Sequence, residues 1–338
     1  MARWQERLNG DPLPWLLERD APAVRHLALR DLVGKPADDA EVAEARGRAM
    51  TSDPIASILA EQDAEGWWVA PGLGYTPKYT STVWNLIFLD QMGASGADSG
   101  IQAACEYVLG HCQATTGGFS ATGGKGAVPS GVVHCLNGNL LRALIGFGWL
   151  QDERVQRSID WQAAAITGEG IARWYGYTSG PGFACGANDG RPCAWGAIKA
   201  VLALARIPPQ ARSPRVRGAL EAGVAFLLSA DPAVADYPTP RRNTKPSGSW
   251  FKLGFPSGYV ADVLQNLEAL TEAGAAGDAR LDRAVEWLLA QQEAHGRWAN
   301  RYPYHGKTVR DIDRPNEPSK WVTLRACRVL KAVVEARA

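Results

Sequence analysis

The chain has 338 residues, 46% of them hydrophobic, and a formal net charge of +1. It is long enough to bury a large apolar core. Its charge favours neither nucleic acid nor an anionic membrane as a partner. No apolar run approaches the length needed to span a bilayer, and the start, Met1-Ala2-Arg3-Trp4, lacks the apolar stretch of a secretion signal. Six cysteines in a chain this long do not make a disulfide framework, so a cytoplasmic protein with reduced thiols is expected.

The first helical stretch covers residues 14–33, where Leu16, Leu17, Val24, Leu27 and Leu32 recur at three- and four-residue steps. Asp20 and Pro22 fit a cap and an early helical proline between two short helices. Gly34 and Pro36 stop the second one, and a charged helix follows over about 38–50. Five similar helix pairs come next. Their first members are 54–62, 101–113, 154–166, 216–229 and 279–292. Their second members are 80–92, 133–147, 193–206, 258–273 and 319–335. Domain limits follow: residues 1–50 carry the N-terminal helices and 51–338 the repeated pairs, which stack through shared apolar faces.

Three of the first members end in one pattern: glutamine, three residues, glycine, one residue, aromatic. It reads Gln62, Gly66, Trp68; Gln113, Gly117, Phe119; and Gln292, Gly296, Trp298. The glutamine amide is placed to satisfy a loose carbonyl of its own last turn. The glycine admits a positive φ, and the aromatic wedges against the next pair. The third pair keeps only Trp161-Gln162 and a distant Trp174, and the fourth has lost the glycine-aromatic end.

The segments Gln62-Asp63-Ala64-Glu65-Gly66-Trp67-Trp68 and Gln292-Glu293-Ala294-His295-Gly296-Arg297-Trp298 resemble the repeat of the squalene-hopene cyclase and protein prenyltransferase β-subunit superfamily, over roughly residues 54–335. That resemblance implies an all-α fold, an α/α toroid of inner and outer helices around a central cavity, with the helices before residue 50 completing the ring. One scaffold of this kind carries several chemistries. By the same resemblance the second helices line the cavity and begin at a common rim.

Under that topology Cys135, Cys185 and Cys193 converge, since His134-Cys135 opens one inner helix, Cys193 opens the next, and Cys185 lies in its lead-in loop. A helix start favours thiolate, and three thiolates with an imidazole or carboxylate suit zinc. His134, Asp189, Asp262 or His305 could be the fourth ligand, or a substrate thiol or water could take its place. The prenyltransferases bind catalytic zinc through an aspartate, a cysteine two residues later and a distant histidine. Here Asp189 and Cys193 are four apart, so the resemblance assigns Cys185 to the aspartate position and His305 to the histidine. Reactive metal-free thiols, with Cys193 or Cys135 as nucleophile and His134 or His305 as base, and inert core cysteines are the alternatives. Cys105, Cys112 and Cys327 read as packing residues.

For substrate contact the candidates are Asn137, Asp189, Lys252, Tyr259, Tyr302 and Tyr304; Asn137 could equally support a metal ligand or cap its helix. Asp262, near the start of its helix, would face the ring mouth or its own amides. Gly123-Gly124-Lys125-Gly126 is only faintly like a phosphate loop. The triterpene cyclases protonate an alkene with an aspartate-x-aspartate-aspartate acid. Asp311-Ile312-Asp313-Arg314 keeps two aspartates but ends in arginine, which would hold a carboxyl ionised. The expectation is therefore an enzyme with transferase-like or metal-assisted chemistry, not acid-initiated cyclisation, acting on an apolar or amphipathic small molecule. A partner helical subunit is compatible with this. The competing expectation is a non-catalytic toroid that binds lipid or protein.

Overall fold

A computed structural model describes residues 3–123, 126–169 and 179–338. Gly124, Lys125 and Trp174, singled out above, lie outside the described residues. Within them the fold is all-helical, with isolated β-bridges in the loops and no strand. The helices, in chain order, are α1 (Leu13–Leu16), α2 (Pro22–Ala28), α3 (Ala40–Met50), α4 (Ile55–Ala60), α5 (Thr82–Gln91), α6 (Ser99–His111), α7 (His134–Gly146), α8 (Glu153–Thr167), α9 (Ala194–Ala205), α10 (Pro214–Leu227), α11 (Val263–Leu270), α12 (Asp282–Ala290) and α13 (Lys320–Ala336). No helix of the described residues is long and apolar enough to cross a membrane.

The second members of the pairs form the inner set. Neighbours run α5–α7–α9–α11–α13 and then α13–α2. Gly93, just past α5, lies against Leu27 of α2. The order of neighbours thus returns to its start, a toroid-like arrangement. Inner helices are buried nearly all round: every residue of α9 from Gly196 to Leu204 is buried. Outer helices bury one stripe, as in α12, where Ala284, Val285 and Leu288 face inward.

Two boundaries differ from expectation. The first stretch breaks after α1, and Pro22 sits at the start of α2 as expected, but Ala21 rather than Asp20 is the N-cap. The helix expected over 258–273 shortens to α11, because Asp262 caps it through the Gln265 amide. At the other end Gly274, at φ 95°, unwinds the last turn.

The repeated pattern acts as a staple between pairs. The glutamine amide does not cap its own helix; it bridges to the next pair. Gln62 Nε2 donates to the carbonyls of Gly66 (3.2 Å) and Gly100 (2.8 Å), the latter in the first turn of α6. Gln113 Nε2 does the same to Gly117 (2.9 Å) and Arg154 (2.7 Å) at the start of α8. The glycines adopt φ of 94° and 95°, and a Cβ on either would fall 2.6 Å from a carbonyl oxygen of that neighbouring helix, Ala103 or Arg157. Trp68, Phe119 and Trp298 are fully buried. Their backbone amides donate to Thr82, Asn137 and Thr323, each near the start of an inner helix. In the last copy no further outer helix follows among the described residues. Gln292 Oε1 instead accepts from Asn9 N (3.0 Å), and a Cβ on Gly296 would lie 2.3 Å from Gly10 O. Residues 9–10 therefore occupy the place of the next unit.

Candidate functional site

The loop entering α9 sets the geometry of the thiols. Ala184 and Pro192 form an antiparallel bridge. Cys185 N donates to Arg191 O (3.1 Å) and Cys193 N to Phe183 O (2.9 Å). In that register Cys185 and Cys193 are diagonal neighbours on one face of the pairing, and their thiols are hydrogen-bonded to one another. A tight turn connects them: Asn188 N and Gly190 N both donate to Cys185 O, at 2.9 Å each, and Asp189 takes the left-handed conformation with φ 55°. Cys193 is the N-cap of α9, and Cys135 lies in the first turn of α7. All three sulfurs influence one another electrostatically and all three residues are partly exposed.

The sulfurs are not equivalent. The thiol of Cys193 donates to Cys185, and this bond, with the backbone amides of the turn, holds Cys185 below the ordinary thiol range against the cost of its burial. The same bond to Cys185, with burial, pushes Cys193 well up. Burial, with the Cys185 charge beside it, pushes Cys135 up to about 11. Cys105, Cys112 and Cys327 are fully buried, and burial raises all three; they are the packing residues expected.

Behind Cys135 stands Lys199, fully buried in α9. Its Nζ donates to Val260 O (3.2 Å) and to Gln265 Oε1. Neither acceptor is charged, and burial brings the amine down to about 7. Around this pole lies an aromatic wall. Tyr79 meets Tyr304 at 4.4 Å and Trp84 at 5.0 Å, and Trp195 meets Tyr259 at 6.2 Å, edge-on. Lys78 Nζ sits 4.6 Å over the Tyr259 ring.

Several expected site residues have structural duties instead. His134 is corrected as a base or ligand: its Nδ1 accepts from Gln162 Nε2 (3.0 Å) and its Nε2–H donates to Gly180 O (2.9 Å). Both ring nitrogens are engaged, and burial lowers the imidazole to about 4. Asn137 accepts from Phe119 N and Ser158 Oγ and donates to Gln162, which ties three elements together. Asp189 is exposed and accepts from Arg241 N (2.7 Å), pinning the thiol loop to the 238–241 segment. His305 is half-exposed, with Nδ1 3.2 Å from Asp311. Asp262 caps α11 and also accepts from Gly254 N (3.0 Å); burial raises it. Lys252, Asp262, Tyr302 and Tyr304 do share one crevice, but its volume of about 10 Å³ is that of a single water.

Among the described residues no group of three or more His, Cys, Asp or Glu side chains is arranged to hold a metal ion.

The large cavity lies at the other pole. It has a volume of about 630 Å³ and opens among the C-terminal ends of the inner helices, within the size range of small-molecule sites. Its lining is strongly charged and largely paired. Arg142 grips Glu272 with two bonds of 2.6 and 3.0 Å, Arg325 grips Glu268 at 2.8 and 2.5 Å, and Arg206 meets Asp90 at 3.0 Å. Arg328 pairs with Asp31, while its buried Nε has no partner. Asn139 and Gln265 belong to this lining, so Lys199, bonded to Gln265, stands between the cavity and the thiols.

These charges, and Lys199, were missed from the sequence. A signal existed: Lys199 is the only charged residue in α9, whose other members are Ala, Gly, Ile, Val, Leu and Trp. A lone lysine on an otherwise apolar, all-buried helix is a site candidate.

No family model and no curated protein matches the chain. Solved structures do. A protein from Actinoplanes shares 18% identity over 94% of this chain and 90% of that one, with a TM-score of 0.47. A type II terpene cyclase from Scytonema shares 18% over 94% and 88%, at 0.46. An unsaturated glucuronyl hydrolase specific for heparin shares 12% over 94% and 86%, at 0.49. The expectation of transferase-like or metal-assisted chemistry, with acid-initiated cyclisation set aside, is corrected by these findings. The similar proteins include type II terpene cyclases, and no metal-holding group is present among the described residues. The physical premise also falls. Arg314 turns to Glu317 (3.7 Å) and does not hold Asp313 ionised; burial raises Asp313, which accepts from Ser319 Oγ and Asn300 Nδ2.

Proposed function

We propose that this protein is a thiol-dependent enzyme that acts on a small amphipathic molecule at the pole where α7 and α9 begin, with Cys185 as the nucleophile. One observation carries the reading: three cysteines from two inner helices and a loop meet at this pole, and one receives the hydrogen bonds that favour its thiolate. The aromatic wall supplies an apolar surface for the body of the molecule. Lys199, uncharged in part at neutral pH, influences Cys135 electrostatically from behind.

The test is alkylation of the native protein by iodoacetamide, read by mass spectrometry at each cysteine from pH 5 to pH 9. Cys185 is expected to react at least ~10-fold faster than Cys135 at neutral pH, because only thiolate is nucleophilic. Equal rates at the two sulfurs would remove the basis for the assignment.

A second reading is favoured by the charged cavity, which is remote from the thiols. In it the toroid binds an amphiphile with an anionic head without chemistry, the head meeting Arg328 at its unpaired Nε. Calorimetric titration with a medium-chain alkyl phosphate separates the two. Binding weakened about tenfold by Arg328→Ala, with Cys185→Ser unaffected, supports the binding module.

A further inference from the structure

The ion pairs around the charged cavity are unevenly matched. On one side each arginine has its own carboxylate: Arg142 with Glu272, Arg325 with Glu268 and Arg206 with Asp90. The first two also answer backbone carbonyls, those of Leu202 (2.9 Å) and Gly254 (2.6 Å). The other side is built by α2 with the turn Leu29–Val33 that extends it, by α3 and by α13. There one carboxylate serves two guanidiniums: Asp31 accepts from Arg30 Nε (2.5 Å) and Nη2 (3.0 Å) and also pairs with Arg328. Lys331 on this side is engaged, its Nζ donating to Asp31 O (2.8 Å) and lying 3.8 Å from Glu335. Arg46, on the same lining, makes no ion pair or hydrogen bond among the described residues. Arg328 stands midway along α13 and Arg46 inside α3, so neither charge answers the free carbonyls of a helix end. Three guanidiniums against one carboxylate leave two positive charges unanswered on this side.

We propose that this side of the cavity binds a dianionic phosphoryl group, held by Arg30, Arg46 and Arg328. The proposal rests on the second reading above, that of an anion-binding cavity; it adds the charge of the ligand, two further residues and a place in the ring. A phosphate monoester carries close to two negative charges at neutral pH and has three terminal oxygens. That matches two unanswered charges and three guanidiniums, whereas a carboxylate brings one charge and two oxygens. Beyond their bonds to Asp31, Arg30 keeps Nη1 and Arg328 keeps Nε and Nη1, and Arg46 keeps its whole fork. The three come from separate parts of the chain. Arg30 follows α2, Arg46 lies on α3 and Arg328 on α13, at the seam where α13 packs against α2. A ligand held by all three ties the N-terminal helices to the last repeat and stabilises the closed order of helices by mass action.

The experiment is calorimetric titration of the full chain, at low ionic strength and neutral pH, with inorganic phosphate, a medium-chain alkyl phosphate and acetate. One equivalent of a phosphate is expected to bind, with acetate at least ~10-fold weaker. Arg46→Ala should weaken phosphate about tenfold. Arg48→Ala, on the same helix but outside the cavity lining, should leave it unchanged. Arg46 has no partner to lose, so the ligand-free thermal midpoints of the two variants should agree with that of the parent chain. Amide exchange in α2 and α13 should slow on binding, with no change in α10, which lies outside the lining. An alkyl phosphate bound more than ~10-fold tighter than inorganic phosphate identifies a lipid headgroup as the source, and equal affinities identify a free phosphate; both support the site. Acetate as tight as phosphate overturns the dianion. Phosphate binding untouched by Arg46→Ala and Arg30→Ala, or exchange unchanged in α2 and α13, overturns the place at the seam while the anion-binding cavity stands. If neither phosphate binds, both readings of the cavity fall.

Discussion

At the scale of single residues, burial without a charged partner sets the behaviour of His134, His26 and Lys199. Burial lowers both imidazoles to about 4, so the fold requires them neutral. Their folded-state values lie below the unfolded one. Stability is therefore fully present above about pH 6.5 and is lost as pH falls toward 4. For His134 the loss is on the order of 2–3 kcal/mol, at 1.36 kcal/mol per unit. Denaturant midpoints recorded from pH 7.5 to pH 4 should fall, and His134→Gln should flatten part of that slope. Lys199, brought down to about 7, has the same sign at higher pH: its cost is present below 7 and is relieved as pH rises toward 10. Lys199→Met should abolish a rise in stability between those limits; an unchanged rise would mean that the amine is solvated. Neither histidine was readable as buried from its position alone. Lys199 is the instructive case, since its helix was legible but its isolation among apolar neighbours was not weighed.

At the scale of elements, the staple explains why the repeated pairs were readable. The glutamine, glycine and aromatic have fixed partners on the next unit, so their spacing cannot drift. Where partners are lost, as after α8 and α10, the loops lengthen and the pattern disappears. The role of glutamine was the part that spacing could not reveal, because its acceptors lie 38 and 41 residues away. A direct comparison follows from the glycines. Gly66 combines φ 94° with an oxygen 2.6 Å from the place of a Cβ, whereas Gly34, at φ 82°, has nothing within 4 Å. Gly34→Ala should cost about 1 kcal/mol from backbone strain alone. Gly66→Ala should cost about 3 kcal/mol or more, since α6 must also move. Urea denaturation of the two variants measures the difference, and equal losses would show that the close approach to Ala103 is relieved cheaply. The start of α11 was misjudged because Asp262 caps from a position that pattern alone assigns to the helix interior.

At the scale of the whole molecule, the N-terminal segment takes the place of the unit that follows the last repeat. Besides the Asn9–Gln292 bond, Arg7 pairs with Glu286 (2.5 Å) and Lys320 with Glu18 and Asp20 (2.7 and 3.0 Å). Surface pairs of this kind contribute little singly; the covered apolar surface is what matters. Trp4 and Leu16 are buried. Removal of residues 1–20 should lower the thermal midpoint by several degrees and expose an environment-sensitive dye site. Unchanged melting would show that the segment is an appendage. The helical toroid-like order was legible from periodicity and the repeat. The charged bore was not, because its arginines and carboxylates come from five different helices and meet only in three dimensions.

α7 and α9 begin beside the sulfurs, and α5, α7, α9 and α11 end at the open cavity. The backbone dipoles of α7 and α9 place their positive ends at the sulfurs. Arg142 donates to the carbonyl of Leu202, and Arg212 to those of Ala205 and Ile207, which places fixed cations on the negative end. A thiolate beside Cys193, the N-cap of α9, therefore meets the positive end of that helix.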